Sequence, residues 1–288
     1  KGFFQNINIQ YSSKLENRAI FADDLLLKKG MFDNARSGVQ HNIPFTTNFK
    51  VFKHFSVSVG GAYKEVWNGK TIKYNNYDEN LGVVKDTISG FDRFGVYNYS
   101  ASVTTKVYGI VNFKPKNKVQ SIRHTITPSI SYSNNPSFEE YYDTYIIDAE
   151  GNTAEYTRFQ GGLYGVPGKN YSSSIGISIQ NTLEAKVKPK DSTETELRKI
   201  NILKNLNIST GYNIAAEEFK WSPIRMTGTI DIARGLSLNT GATFDLYGLD
   251  ENNIRINVFN VKNGGGLLRL TSANLSTQYS INNNTFKR

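Results

Sequence analysis

A transmembrane antiparallel β-barrel of the outer membrane is the fold class this sequence predicts, and three observations carry it. Between Tyr171 and Val187 one parity is largely apolar (Tyr171, Ile175, Ile177, Ile179, Leu183, Ala185, Val187) and the other is small or polar. An average globular strand has about 5–6 residues, whereas a tilted strand crossing a bilayer needs about 9–11 and sets lipid-facing apolar side chains against lumen-facing polar ones. The second observation is that connections alternate between long and short. The third is that aromatic residues gather at the strand ends.

Period-2 counting and turn residues give about ten strands, near 3–12, 38–51, 55–67, 95–113, 121–133, 170–188, 200–214, 221–232, 236–248 and 267–281. In the second, Val39, His41, Ile43, Phe45, Thr47, Phe49 and Val51 share one face, and Gln40, Asn42, Thr46, Asn48 and Lys50 share the other. Such a strand separates oil from water. Odd-numbered strands are followed mostly by long gaps (13–37, 68–94, 134–169, 249–266, with 215–220 short), and even-numbered ones by short gaps (52–54, 114–120, 189–199, 233–235). Barrels have short periplasmic turns and longer outer loops, so odd strands are expected to run outward. Tyr11, Tyr63, Trp67, Tyr97, Tyr132, Tyr171, Tyr212, Trp221 and Tyr247 then fall near the outer rim, and Phe52, Phe55 and Phe113 near the inner one, as two aromatic girdles. Within the loop at 14–37, Ala19–Leu27 reads as a short amphipathic helix. Pro44, Pro128 and Pro223 fall within strands and lack an N–H, so each should mark a weak seam, a bulge or a strand end.

Composition sets the outer bounds. The chain has 288 residues, 17 Tyr, 17 Phe and 24 Gly, and it holds no run of about 18 apolar residues, so a transmembrane helix is excluded while a barrel is not. The formal charge of +9 favours anionic partners such as nucleic acid, phosphorylated lipid or acidic sugar, although the basic residues are scattered. With no cysteine, disulfides and thiolate metal sites are absent. Lys1 begins without a charged-then-apolar leader, as in a mature chain or an internal segment. A soluble β-sandwich would explain the alternation but not long strands joined by alternately long and short loops. No repeat of fixed period supports a propeller or solenoid.

Enzyme chemistry finds little support. His41, His54 and His124 lack metal-ligand spacing and read as interfacial or packed side chains, so no metal or cofactor is expected. Gly161, Gly162, Gly165, Gly168 and Gly264–Gly266 sit in loops and do not join a strand to a helix, as a phosphate-binding fingerprint requires. Asp23-Asp24 and Glu217-Glu218 read as solvated loop pairs, and no G-x-S-x-G elbow is present. The charges on the polar parity are more informative. Lys50, Lys106, Arg123, Glu184, Lys186, Lys188 and Arg225 are expected to face the lumen, while the lipid parity is nearly charge-free, because Lys or Arg at mid-bilayer on a barrel's outer face costs about 2–4 kcal/mol. These cations either meet an anionic cargo or pair with interior carboxylates.

The stretch Ser121–Phe138, S-I-R-H-T-I-T-P-S-I-S-Y-S-N-N-P-S-F, resembles the arginine, proline, tyrosine, proline signature in the barrel domain of the LptD family, with Arg123, Pro128, Tyr132 and Pro136 in the matching places. Leu163–Val187, Leu203–Ile224, Leu268–Tyr279 and Gly38–Pro44 resemble the Bacteroidota-type branch of that family. The resemblance implies a translocon that delivers lipopolysaccharide to the outer leaflet of the cell outer membrane. Such a protein works with an LptE-like plug lipoprotein, with a periplasmic Lpt bridge through an N-terminal jellyroll, and with outer-membrane lipids rather than nucleic acid. The jellyroll is missing from this chain and its strands are too few for the family's barrel, so residues 1–288 should be a segment of one barrel domain with no second domain. On this reading Lys106, Arg123, Lys186 and Arg225 contact the phosphorylated head group. A porin-like or nutrient-uptake channel, or a structural or adhesion barrel displaying loops 68–94 and 134–169, are the competing functions.

Overall fold

A computed structural model of the chain describes residues 6–25, 28, 31–32, 35–189, 196–233 and 235–280. Residues 3–5 and 281 of the first and last expected strands, 26–27 of the expected helix, 190–195 of one expected turn and Arg234 of another lie outside the described residues. The strands are β1 (Ile7–Ile9), β2 (Ser12–Arg18), β3 (Arg36–Val51), β4 (Phe55–Tyr74), β5 (Lys85–Thr104), β6 (Val107–Asn112), β7 (Val119–Asn135), β8 (Tyr142–Ile146) and β9 (Thr153–Thr157). They continue with β10 (Ser172–Val187), β11 (Arg198–Asn213), β12 (Ile224–Ala233), β13 (Leu236–Asp245), β14 (Tyr247–Leu249), β15 (Arg255–Phe259) and β16 (Arg269–Tyr279). One antiparallel sheet of 12 strands runs in the order β1-β3-β4-β5-β7-β10-β11-β12-β13-β16, with β2 also on β3 and β6 also on β7. β8–β9 and β14–β15 are separate two-stranded ribbons. Strands of 16 to 20 residues recur in β3, β4, β5, β7, β10 and β11, so the expected all-β architecture with strands longer than a bilayer requires is present.

The chain forms two compact units, Lys1–Asn48 with Val59–Ser100 and Ser133–Ser173, and Phe49–Ser58 with Ala101–Tyr132 and Ser174–Arg288. In the second unit the pleat sorts side chains by polarity. Ile224, Met226 and Ile230 lie opposite Phe244, Ala242 and Leu238, whereas Arg225, Thr227, Thr229 and Asp231 lie opposite Thr243, Gly241, Asn239 and Ser237. β16 extends the pattern, with Ala273 and Leu275 on one face and Ser272, Asn274, Ser276 and Gln278 on the other. The apolar face is not covered: Ile179, Ile200, Ile230, Ile232, Leu270 and Tyr279 are exposed, and Leu275 is 68% exposed. A water-soluble sheet buries that face; a sheet whose solvent is hydrocarbon leaves it open.

In the first unit the segment after β7 supplies a core instead. Phe159 is 1% exposed and packs against Phe94 and Val66, with Val96, Tyr141 and Tyr164 around them. Arg158 lies over the Phe159 ring at 4.6 Å and its Nε donates to Asp92 at 2.6 Å. The region expected as an open loop at 134–169 therefore carries the β8–β9 ribbon and docks on β4 and β5. Likewise 249–266 carries β15 rather than plain loop.

Several boundaries differ from the sequence reading, each for an identifiable cause. The expected loop 68–94 is mostly strand: β4 runs on to Tyr74 and β5 begins at Lys85. The expected loop opens at Asn68-Gly69, but β3 starts at Arg36, beside this point, and past it the Ile72 N–H donates to the Arg158 carbonyl at 2.9 Å. Among its described residues the expected helix Ala19–Leu27 shows a 3-10 turn at Asp23–Leu25, as befits a segment too short to offset helix nucleation. The expected strand 95–113 breaks at Thr105-Lys106, and the strand 3–12 breaks at Gln10-Tyr11, its second part reaching Arg18. Both breaks lie opposite a proline: Thr105 N donates to the Pro128 carbonyl and Gln10 N to that of Pro44, at 3.2 and 3.1 Å. Pro223 precedes the first residue of β12. All three prolines thus mark a seam or an end, because a residue without N–H cannot complete the ladder.

Two face assignments are also corrected. Glu65 and Arg93 belong to the parity of Tyr63 and Trp67, so that face is not charge-free in the first unit. Its carboxylate accepts from Tyr63 Oη, Trp67 Nε1 and Arg93 Nη1 at 2.6, 2.6 and 2.8 Å, which disperses the charge into a girdle-type aromatic pair. Tyr247, expected at the outer rim, is buried: Phe259 stacks on it with centroids 5.4 Å apart and Arg255 lies 4.7 Å from its ring.

Candidate functional site on the polar face

The site is built by the ladder between β10 and β11. Ile175, Ile177 and Ile179 lie opposite Tyr212, Thr210 and Ile208 on one face, and Gly176, Ser178 and Gln180 lie opposite Gly211, Ser209 and Asn207 on the other. Register shifts flank Leu183. Beyond them the parity recovers, with Glu184 opposite Asn201 and Lys186 opposite Lys199 on the polar face. A β-bulge re-aims side chains in this way.

Glu184 is the anchor of that face. Arg123 of β7 donates through both Nε, at 3.0 Å, and Nη2 to Glu184 Oε2, and Lys199 Nζ lies 2.5 Å from Oε1. Lys186 lines the same cavity of about 380 Å³, together with Ile110, Asn112, Ser121 and Ala185. One carboxylate thus meets two cations, Arg123 and Lys199, while Lys186 stands on the cavity wall, and the cavity keeps a surplus of positive charge. Of the four cations expected to contact the head group, the fold brings Arg123 and Lys186 together. Arg225 stands elsewhere on the polar face, opposite Ser209 and Thr243, and Lys106 falls in the break between β5 and β6. Among the described residues Lys106, Lys186 and Arg225 have no ion-pair partner; Arg123 has Glu184.

Lys199 escaped the sequence reading because 189–199 was read as a turn. The signal was there: Lys199 and Asn201 alternate with Ile200 and Ile202, so β11 begins at Arg198. Two of the three histidines are packed, and His54 is exposed in the turn between β3 and β4. His124 pairs with Asn181 Oδ1 at 3.2 Å, which satisfies two polar groups on the otherwise apolar parity, and the His41 ring lies between Tyr11 and Trp67. Of the signature positions, Arg123, Pro128 and Tyr132 lie on β7, and Pro136 follows its last residue.

A family model described as LptD protein matches residues 1–247. No curated protein and no solved structure matches. The matched region covers most of the chain, and the chain belongs to the LptD protein family. It is accordingly an outer-membrane β-barrel protein of lipopolysaccharide transport and assembly, and not an enzyme.

Proposed function

We propose that this LptD-family chain forms part of the wall along which lipopolysaccharide reaches the outer leaflet, with the polar face of its sheet turned to the head group. The observation that supports this most is the division of a single sheet into a face of exposed aliphatic side chains and a face bearing Lys186 and Arg225 without carboxylate partners among the described residues. A phosphorylated amphiphile needs a hydrated, cationic route for its head and hydrocarbon for its tails, and Lys or Arg meets phosphate with charge-assisted hydrogen bonds. Lys106, Lys186 and Arg225 are the contact residues of this proposal. Arg123, committed to Glu184 through two nitrogens, also serves as a positioning residue that holds the carboxylate away from Lys186. Guidance is passive, without covalent steps. An LptE-like plug, an N-terminal jellyroll linked to the periplasmic bridge, and a larger single barrel of which residues 1–288 are one segment complete the proposed assembly.

Charge removal separates the two roles. In the full-length protein, Lys106→Gln with Lys186→Gln and Arg225→Gln is expected to slow arrival of lipopolysaccharide at the surface while the heat-modifiable folded barrel persists. Glu184→Gln is expected to lower barrel yield first, because it leaves neighbouring cations without their counter-charge. Wild-type delivery by the triple variant, with the barrel assembled, removes the guidance role.

Sidedness follows from connection length. The β4–β5 turn (75–84) and the β8–β9 turn (147–152) are expected outside, and the β6–β7 turn (113–118) in the periplasm. Single cysteines at Glu79 and Glu150 should react with an impermeant maleimide on intact cells, and one at Lys116 should not. Gly151 is unsuitable as a labelling site, because its φ of +83° strains any other residue. Labelling of Lys116→Cys alone reverses the assignment.

A further inference from the structure

We infer that the first unit carries a second anion site, a cavity of about 580 Å³ built to take a phosphorylated sugar. Four cations line it: Arg18 from the end of β2, Arg36 from the start of β3, Lys70 from β4 and Lys85 from the start of β5. Among the described residues no carboxylate lines it. Arg18 and Arg36 are direct cross-strand partners, an arrangement of like charges that destabilises a sheet unless an anion is shared between them. Arg18 takes one counter-charge from Glu16, at 2.6 Å, and Arg36 donates to the Gly161 carbonyl, which ties the cavity wall to the turn after β9. Gly161 is required there: its φ is +80°, and a Cβ would stand 2.9 Å from Arg36 Nη1.

An independent observation points to a ligand. Asn68 is only 4% exposed, lines the cavity, and its Nδ2 has no hydrogen-bond partner. A buried amide donor left unmade is costly to the fold, so a retained one calls for an acceptor that arrives with the ligand. The remaining wall selects the ligand class. Ser37, Thr71, Thr87 and Gln160 offer hydroxyl and amide groups suited to sugar hydroxyls. Among the described residues no aromatic ring lines the cavity, which disfavours a nucleobase, and Ile20, Ile72 and Leu163 are too few to hold an acyl chain. The phosphate belongs among the four cations and the sugar along the hydroxyl wall. The same chemistry is offered by the head group of a phosphorylated glycolipid and by a free sugar phosphate. The site stands on its own geometry and does not share residues with the polar-face cavity of the second unit.

The test uses the full-length protein in detergent and titration calorimetry with glucose 1-phosphate, glucose, inorganic phosphate, and a phosphorylated and a dephosphorylated lipid A. Binding of glucose 1-phosphate, competed by phosphate and not by glucose, is the expected result, and binding of phosphorylated lipid A alone assigns the glycolipid as the source. Lys70→Gln with Lys85→Gln should weaken binding by about tenfold or more. Asn68→Leu should weaken it similarly while leaving thermal stability equal or higher, because removal of an unpaired buried donor does not harm the fold. Lys186→Gln with Arg225→Gln should leave binding at this site intact. Absence of binding by any phosphorylated ligand overturns the site. Loss of binding in the Lys186/Arg225 variant with retention in the cavity variants also overturns it, and leaves the polar-face route standing.

Discussion

Ile177→Arg is expected to destabilise the assembled barrel by about 2–4 kcal/mol, and Ser178→Arg by less than about 1 kcal/mol, although the two residues are adjacent. Ile177 lies opposite Thr210 on the face of exposed aliphatic side chains, and Ser178 lies opposite Ser209 on the face that holds Arg225. An arginine at 177 must desolvate its guanidinium in hydrocarbon or snorkel from a position far from either strand end. At 178 it joins a hydrated surface that already carries cations. The check is reversible denaturant unfolding in lipid vesicles, read as the difference between the two variants. Equal losses mean that the apolar face of β10 does not meet lipid.

The second large effect concerns Asp245, the last residue of β13. It is 5% exposed and accepts from three groups at once: Arg255 Nη2 at 3.1 Å, Arg269 Nη2 at 3.2 Å and the backbone N–H of Tyr247 at 3.1 Å. Arg255 in turn stacks over Phe219 and Tyr247, both at 4.7 Å from the ring centroids, so the carboxylate fixes an aromatic and guanidinium layer at the end of the strand. Asp245→Ala leaves two arginines and an N–H without their acceptor, and breaking one side of a buried ion pair costs about 3–5 kcal/mol. Both arginines retain partial exposure, which places the expected loss nearer about 2–4 kcal/mol. Amide exchange in 246–268 should accelerate by about two orders of magnitude or more. Asp245→Asn keeps an acceptor for Tyr247 and should lose less. Unchanged exchange in the alanine variant means that packing around Tyr247, not the ion triad, holds this region.

How much of this was legible in the sequence depends on the range of the interaction involved. The two faces of β10, β12 and β13 follow from period 2 alone, because one solvent is apolar and the other is water, and each side chain reads its own. The prolines were legible for the same local reason: a missing N–H at Pro44 or Pro128 breaks the neighbouring strand wherever it pairs. The β4–β5 extension was not legible, because what continues β4 past Asn68-Gly69 is a contact to Arg158 from far along the chain. The core around Phe159 was hidden likewise, since an aromatic residue in a loop gives no sign of docking on Phe94 and Val66. For the polar face, the inward cations could be named from parity. Their pairing could not: that Arg123 would take Glu184, while Lys186 would not, is set by β7 lying beside β10 and by the bulge at Leu183. Lys199 was lost only because its strand was started two residues late.

The most direct test of the proposed route is site-specific photocrosslinking in the full-length protein during active transport. A photoreactive residue at Lys106, Lys186 or Arg225 should capture lipopolysaccharide in a transport-dependent manner, with weaker capture at the paired Arg123. The same residue at the neighbours Val107, Ile122, Val187 and Ile224 should capture membrane lipid whether or not transport runs. Transport-dependent capture confined to the second set, with none at the cations, would contradict the assignment of the polar face as the path of the head group.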